Sequence, residues 1–220
     1  MSSILRRIRE WRKHKVELGF QRKWVKLYTN HMSKVLEYWR RYRFLTEIEG
    51  YVDFQSSRVL DVGCGISSLL NHIDAKEKWG VDPLMDEYKE LFAYGKAFRF
   101  KKARGENLPF PANSFDIIVC SNALDHTEDP KKVVDEIHRV LRVGGNLILT
   151  VELFPETDKT QKRDLAHPHA LSEHELISLL RNFDIVFHKQ SHFIGLYNYV
   201  LYGENFETRK LEHVLVAREK

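Results

Sequence analysis

The segment RVLDVGCGISSLL at residues 58–70 constrains the fold of this chain more than any other. It begins as a β-branched strand, turns at Gly63 and Gly65 just after Asp61, and continues into apolar residues that predict a helix. Glycine at these two positions permits a tight turn and lets a ligand approach the backbone where a Cβ would block it. A strand, a glycine turn and a helix in this order predict a nucleoside-binding site in an α/β fold.

A second carboxylate, Asp82, ends a short strand predicted at 78–82 and lies 21 residues after Asp61. A carboxylate at this point of an α/β nucleotide-binding unit accepts hydrogen bonds from ribose hydroxyls. Dinucleotide-binding turns need a third glycine where this chain has Ser68, and they leave the helix start open to a pyrophosphate. The Asp61 carboxylate would repel a pyrophosphate and favours a cofactor with a cationic end. The alternative interpretation is a plain glycine turn after a buried strand.

Further segments follow in a recognisable order. They are GENLPFP at 105–111, a buried strand at 114–120, SNALDH at 121–126, a helix opened by Asp129 and Pro130, RVGG at 142–145 and a strand at 146–151. With the glycine turn, this order resembles the small-molecule branch of the class I S-adenosylmethionine-dependent methyltransferases. The resemblance is close over residues 58–151 and looser toward the C-terminus.

The resemblance implies a Rossmann-like α/β fold, with a doubly wound, seven-stranded, mostly parallel sheet, an antiparallel last strand and an N-terminal helical cap. It also implies S-adenosylmethionine as the cofactor. In the family pattern, the turn holds the methionine end, the second carboxylate holds the ribose, and later loops border the adenine and the methyl group. The residues at these positions are Asp61, Gly63, Cys64, Gly65, Asp82, Pro83, Leu84, Gly105, Glu106 and Asn122.

Two residues depart from the family pattern. Ser67 replaces the third glycine of the turn, and Arg104 stands where relatives often have an aspartate that accepts from the adenine amino group. An arginine side chain cannot accept a hydrogen bond. We therefore expect the adenine to be held by backbone near Gly105, with apolar contact from Pro83 and Leu84.

Residues 1–45 carry 13 Lys/Arg against 3 Asp/Glu, although the whole chain has a net charge of only +4. Apolar residues here recur at helical spacing and predict two or three helices. The resemblance to the family implies that these helices form a cap over the active site. Trp24, Tyr28 and His31 then become substrate-pocket candidates, with ordinary helix packing as the alternative. Residues 1–17 fit a solvated basic face with an apolar stripe packed on the domain, or else contact with an anionic membrane surface or guidance of a phosphorylated substrate. No groove-reading or base-stacking motif accompanies this charge, so nucleic acid is not an expected partner.

Two histidines are candidates for the general base of methyl transfer, since histidine is the commonest base at neutral pH. His126 follows the strand that faces the cofactor, and His169 precedes a predicted helix. A hydrogen-bonded loop anchor beside Asp125 is the alternative role of His126. The pair His167 and His169, with Asp164 nearby, has no second ligand cluster, so no metal is expected.

We expect a basic helical cap at residues 1–50 and a methyltransferase domain at 51–220, with substrate-side loops at 152–171 and 191–208. The remaining elements are predicted as a helix at 172–182 opened by a capping box, a strand at 184–189 and a closing strand at 211–217. Two cysteines are too few for a disulfide framework, and the chain has neither an apolar run of about 18 residues nor a cleavable signal pattern. These features predict a cytoplasmic protein.

The sequence thus predicts methyl transfer from S-adenosylmethionine to an oxygen, nitrogen or carbon of a small molecule. The basic N-terminus favours an anionic, glycan-linked or lipid-linked acceptor, whereas nothing indicates the oligomeric state. Two alternatives remain open. One is a non-catalytic binding or regulatory protein at an anionic surface. The other is a dinucleotide-dependent oxidoreductase, which Ser68 and the later motifs disfavour.

Overall fold

The computed structural model describes residues 3–41, 44–154, 167–192, 199–200 and 211–220. The strands are β1 (Arg58–Val62), β2 (Glu77–Asp82), β3 (Phe98–Lys102), β4 (Phe115–Ser121), β5 (Leu141–Glu152), β6 (Phe183–His192) and β7 (Leu211–Glu219). The α-helices are α1 (Ser3–Arg41), α2 (Leu45–Ile48), α3 (Met85–Leu91), α4 (Pro130–Val140) and α5 (Glu173–Leu179). Short 3-10 turns at Leu69–Asn71 and Leu124–His126 follow β1 and β4.

These strands form a seven-stranded sheet in the order β3-β2-β1-β4-β5-β7-β6. Strands β1 to β5 pair in parallel, whereas β7 pairs antiparallel with both β5 and β6. The predicted Rossmann-like sheet with an antiparallel last strand is confirmed. The strand order reverses between β1 and β4, so the loops after these strands open a crevice at their carboxyl ends, where open α/β sheets bind ligands.

Each face of the sheet packs into its own hydrophobic core, because side chains alternate along every strand. In β1, Val59 belongs to the core on one face and Leu60 to the core on the other. Helix α4 covers the Leu60 face and buries Val133 and Ile137, which are spaced as one helical stripe. The predicted amphipathic helix after Asp129 therefore positions the loops that follow β4.

The glycine turn does not lead into a full helix. Between Val62 and Glu77 the chain has only 14 residues. Ser68 keeps an extended backbone (φ −77°, ψ 141°), and its hydroxyl accepts a hydrogen bond from the Leu70 N–H. The 8 residues left before β2 form a single 3-10 turn, Leu69–Asn71, and the return to the sheet. The expectation of an apolar helix after the turn is therefore wrong.

The second half of α1 packs where that helix would have packed. It contributes Val35, Tyr38 and Trp39 to the core that also contains Leu70. A non-helical residue, His31 (φ −141°, ψ 35°), lies between this half and the first half of α1. The predicted N-terminal helices are thus α1, kinked at His31, and α2. Because the second half of α1 shares a core with the sheet, the cap-to-domain boundary near residue 50 stays a prediction.

The C-terminal elements match their predicted places. Helix α5 is shorter than expected and begins with the predicted capping box of Ser172 and Glu175, and β6 and β7 are the two expected strands. No helix in the described part of the chain is long and apolar enough to cross a membrane. Parts of the predicted substrate-side loops lie outside the described residues, namely 155–166, which include Asp164, 193–198 and 201–210.

Candidate active site

A cavity of about 380 Å³ lies at the carboxyl ends of the central strands, beneath the first half of α1. Its volume is within the usual range of small-molecule sites. Nine residues singled out from the sequence line it, which are Gly63, Cys64, Gly65, Asp82, Pro83, Gly105, Asn122, His126 and Trp24. The turns and loops after four parallel strands, β1 to β4, therefore bring together residues that are far apart in the chain.

The glycine turn is confined by the strands beside it. Gly63 has a φ of 74°, and a Cβ on it would lie 2.5 Å from the Ala123 Cβ. Gly65 also adopts a positive φ, of 48°. The N–H groups of Gly63 and Cys64 both donate to the Val81 carbonyl, which ties the turn to the end of β2. Both glycines are thus required by backbone conformation, and Gly63 also by space.

Asp61 is a buried carboxylate just before this turn and does not itself line the cavity. It is 1% exposed, and one oxygen accepts a 2.5 Å hydrogen bond from the Ser68 hydroxyl. Its other oxygen, Oδ1, has no hydrogen-bond partner among the described residues. Burial raises the pKa of Asp61 to about 7, although the Ser68 hydrogen bond acts in the opposite direction. A ligand cation near this group would stabilise its ionised form.

Asp82 ends β2 and lines the cavity. Its two oxygens accept hydrogen bonds from the backbone N–H groups of Leu84 (2.9 Å) and Gly65 (3.2 Å). Burial raises its pKa to about 7, despite these hydrogen bonds and with a further contribution from the nearby Glu17 carboxylate. Leu84 is 2% exposed and packs in the core rather than in the cavity wall, whereas Pro83 lines the cavity.

The loop after β3 forms the opposite wall. Gly105 lines the cavity, and a Cβ there would lie 3.1 Å from Val133 and 3.2 Å from Val62. The next side chain, Glu106, lies outside the lining and accepts hydrogen bonds from the N–H groups that precede α4. Arg104 pairs with Glu128 at 3.0 Å and with Glu10 of α1 at 3.3 Å. Arg104, which stands where relatives often have an aspartate, therefore connects this wall of the cavity to α1.

The first half of α1 forms the roof of the cavity. Lys13, Glu17 and Gln21 line it from one side of the helix. The Gln21 side chain accepts a 2.8 Å hydrogen bond from the Ile66 N–H and lies over Gly65, since a Cβ there would be 2.9 Å from Nε2. Our sequence reasoning missed these three residues, although their spacing of four places them on one helical face.

Of the three aromatic and histidine candidates on α1, Trp24 lines the cavity and the other two lie elsewhere. The Tyr28 side chain is 3% exposed, and its hydroxyl hydrogen-bonds with His72 Nε2 at 2.9 Å and Ser67 Oγ at 3.3 Å. His31 lies at the kink of α1. Tyr28 thus orders the glycine turn from behind rather than forming part of the cavity wall.

His126 lies in the 3-10 turn after β4 and lines the cavity. The Lys13 ammonium donates to its backbone carbonyl, and its Nδ1 lies 3.8 Å from a Glu17 carboxylate oxygen. Its buried Nε2 has no hydrogen-bond partner in the described part of the chain. Burial lowers the pKa of His126, so the neutral ring, which can accept a proton, is favoured near pH 7.

The other histidines are arranged differently from the sequence expectation. His169 does not line the cavity, and its Nε2 lies 3.2 Å from the Glu128 carbonyl. His167 lines the cavity instead, with its ring centroid 4.3 Å from that of His126. Asp125, His126 and His167 each offer a potential metal ligand atom within 4.8 Å of the others. A second such group, away from the cavity, comprises Glu173, His188 and His213.

Comparison with known proteins matches residues 60–149 to the family described as Methyltransferase domain. The uncharacterized methyltransferase YcgJ of Bacillus subtilis is 40% identical over 106 residues, covering 45% of this chain and 42% of YcgJ. The cycloartenol-C-24-methyltransferase of Arabidopsis thaliana is 35% identical over 96 residues, covering 40% of this chain and 29% of that protein. The chain thus spans less than half the length of these curated relatives.

Solved structures share the fold at lower sequence identity. A putative methyltransferase of Bacillus halodurans superposes with a TM-score of 0.63 at 19% identity, covering 79% of this chain and 97% of that one. The [4+2]-cyclase SpnF superposes with a TM-score of 0.60 at 20% identity, covering 80% of this chain and 79% of SpnF. Residues 60–149 thus match a methyltransferase domain, and the fold of the chain is shared with solved proteins described as methyltransferases.

Proposed function

We propose that this protein transfers a methyl group from S-adenosylmethionine to a small-molecule acceptor bound in the cavity beneath α1. The observation that carries the proposal is the pair of buried carboxylates, Asp61 and Asp82, on either side of the glycine turn. Burial raises the pKa of both, and one oxygen of Asp61 has no partner among the described residues. A cofactor with cationic groups and ribose hydroxyls supplies what these carboxylates lack.

The assigned roles follow the cavity wall and the buried residues directly behind it. Asp61 and the glycine turn hold the methionine end, Asp82 holds the ribose, and Pro83 and Gly105 border the adenine. Leu84 and Glu106 support that border from behind, since they lie outside the lining. Asn122, in the loop after β4, borders the methyl group.

When bound, the cofactor supplies an electrophilic methyl group, so the protein has to position the acceptor, exclude water and remove a proton where needed. His126 Nε2 is the proton acceptor we assign, because it is buried at the cavity, unpartnered among the described residues and favoured in its neutral form. Its Nδ1 faces Glu17 of α1, which stabilises the ring once it gains the proton. His169 serves to hold the loop at Glu128.

The acceptor we propose has an apolar part beside its anionic, glycan or lipid-linked part. Four aromatic rings line the cavity, from Phe20, Trp24, Tyr38 and Trp39. Lys13 adds a cation at the same wall, which suits an anionic group. Some curated relatives are named for acceptors, including cycloartenol and 2-methyl-6-phytyl-1,4-hydroquinone, and these names agree with an apolar acceptor.

Calorimetric titration with S-adenosylmethionine, S-adenosylhomocysteine and NAD in parallel tests the proposal. Binding of the first two alone is expected. Asp82→Ala should weaken that binding by tens-fold, since about 2 kcal/mol of charge-assisted hydrogen bonding is lost. Asp86→Ala is the matched control, because Asp86 is exposed four residues later and pairs with Lys102. Binding of NAD alone would favour an oxidoreductase, whereas cofactor binding without turnover on any acceptor would favour a non-catalytic protein.

A further inference from the structure

The first half of α1 has two chemically different faces. Its inner face closes the cavity through Lys13, Glu17 and Gln21, and Glu10 on the same side pairs with Arg104. These four residues follow one another at spacings of three and four, which place them on one side of a helix. The acidic side chains of this half are therefore directed toward the protein.

The outer face exposes large apolar side chains. Leu5 is 57% exposed, Ile8 44%, Trp11 56% and Val16 40%. At 3.6 residues per turn these four side chains fall within an arc of about 140°. Phe20, 48% exposed, lies beside them and also lines the cavity, so the apolar face reaches the cavity mouth. Single exposed apolar residues are common, but a continuous stripe of them marks an interaction surface.

The same outer face carries positive charge. Arg12 and Lys15 lie within the apolar arc, and Arg7 and Arg9 flank it, all of them exposed. The Lys15 ammonium lies 4.0 Å above the Trp11 ring, which joins the two features. Exposed cations interleaved with Trp, Ile and Leu on one helical face are typical of helices that lie in the headgroup region of an anionic bilayer.

We propose that the outer face of residues 5–20 docks on an anionic phospholipid bilayer and thereby places the cavity mouth at the lipid surface. The acceptor would then be an amphiphilic lipid or lipid-linked molecule that leaves the bilayer and enters the cavity beneath α1. This statement about the acceptor rests on the proposed function. The docking itself depends only on α1. A nucleic acid would leave the apolar stripe exposed to water, and a second copy would bring like charges together.

Flotation of the full-length protein with vesicles tests this surface. Vesicles of phosphatidylcholine alone are compared with vesicles containing about one third phosphatidylglycerol, at low and high salt. We expect binding to the anionic vesicles only, weaker at high salt, with a blue shift of tryptophan fluorescence as Trp11 leaves water. Ile8→Ser with Trp11→Ser, and separately Arg9→Glu with Arg12→Glu, should each weaken binding about tenfold or more.

Matched controls keep the test specific. Val143→Ser removes a side chain that is 77% exposed on the β5 side of the molecule, and Lys96→Glu reverses an exposed charge before β3. Both should bind vesicles like the parent chain. The proposal would be overturned if the protein bound neutral vesicles equally well, or if the α1 variants bound anionic vesicles like the parent chain. It would also be overturned if the same variants disrupted a dimer or a nucleic-acid complex instead. If the protein binds vesicles but not S-adenosylmethionine, the docking surface stands and the proposed function is refuted. If it binds S-adenosylmethionine but not anionic vesicles, the proposed function stands and the docking surface is refuted.

Discussion

The glycine turn can be tested by adding one methyl group to Gly63. This residue has a φ of 74°, and a Cβ on it would lie 2.5 Å from the Ala123 Cβ. Gly63→Ala should cost about 1–2 kcal/mol for the left-handed backbone, and about 1–3 kcal/mol more for the overlap. We expect the free energy of unfolding to fall by about 2–5 kcal/mol. Urea denaturation measures it directly.

Two other glycines separate these contributions. Gly144 has a φ of 73°, but a Cβ on it would meet nothing within 4 Å. Gly144→Ala should therefore show the backbone cost of about 1–2 kcal/mol alone. Gly95 has neither a left-handed φ nor a neighbour within 4 Å, so Gly95→Ala should leave stability unchanged or slightly raised.

A double-mutant cycle isolates the overlap with Ala123. Removing the opposing methyl group in Gly63→Ala/Ala123→Gly should recover the steric part while the backbone cost remains. The coupling energy should be about 1–3 kcal/mol. The reasoning is refuted if Gly63→Ala costs no more than Gly144→Ala, or if the two sites show no coupling. Calorimetry on the same variants should show weaker S-adenosylmethionine binding for Gly63→Ala alone.

Three further predictions concern the titrating groups of the site. Burial raises the pKa of the two buried carboxylates of the site to about 7 from the usual 3.8, so the folded chain binds more protons than the unfolded chain between these values. The free energy of unfolding of the cofactor-free protein should therefore fall as pH rises across that interval, and denaturation of Asp82→Asn should show a flatter slope. His126→Gln should keep cofactor affinity but lower turnover about 100- to 10,000-fold, whereas His169→Gln should change neither. Unchanged turnover in His126→Gln would make this histidine a loop anchor. Treatment with EDTA should leave turnover intact, because the proton acceptor we assign needs no metal. A loss restored by a divalent cation would instead assign Asp125, His126 and His167 to a metal.

Much of the cofactor side of the site could be predicted from short segments. The conformations of Gly63 and Gly65, and the strand-end placement of Asp61 and Asp82, follow from local rules of turns and alternating strands. The capping box of α5 and the amphipathic stripe of α4 are equally local. The antiparallel last strand was expected from resemblance to a family, whereas its position between β5 and β6 comes from the structure, since no short-range pattern indicates which strands pair.

The roof of the cavity was decided only by tertiary structure. Gln21 and Ile66 are 45 residues apart, and Lys13 and His126 are 113 apart, so no local pattern joins them. The periodicity of α1 predicts that the helix has a buried side, but not what that side covers. The short connection after the glycine turn leaves one sheet face without a helix, and the second half of α1 packs there. That packing carries the first half across the carboxyl ends of the strands, because burial of apolar surface determines which uncovered face a helix occupies.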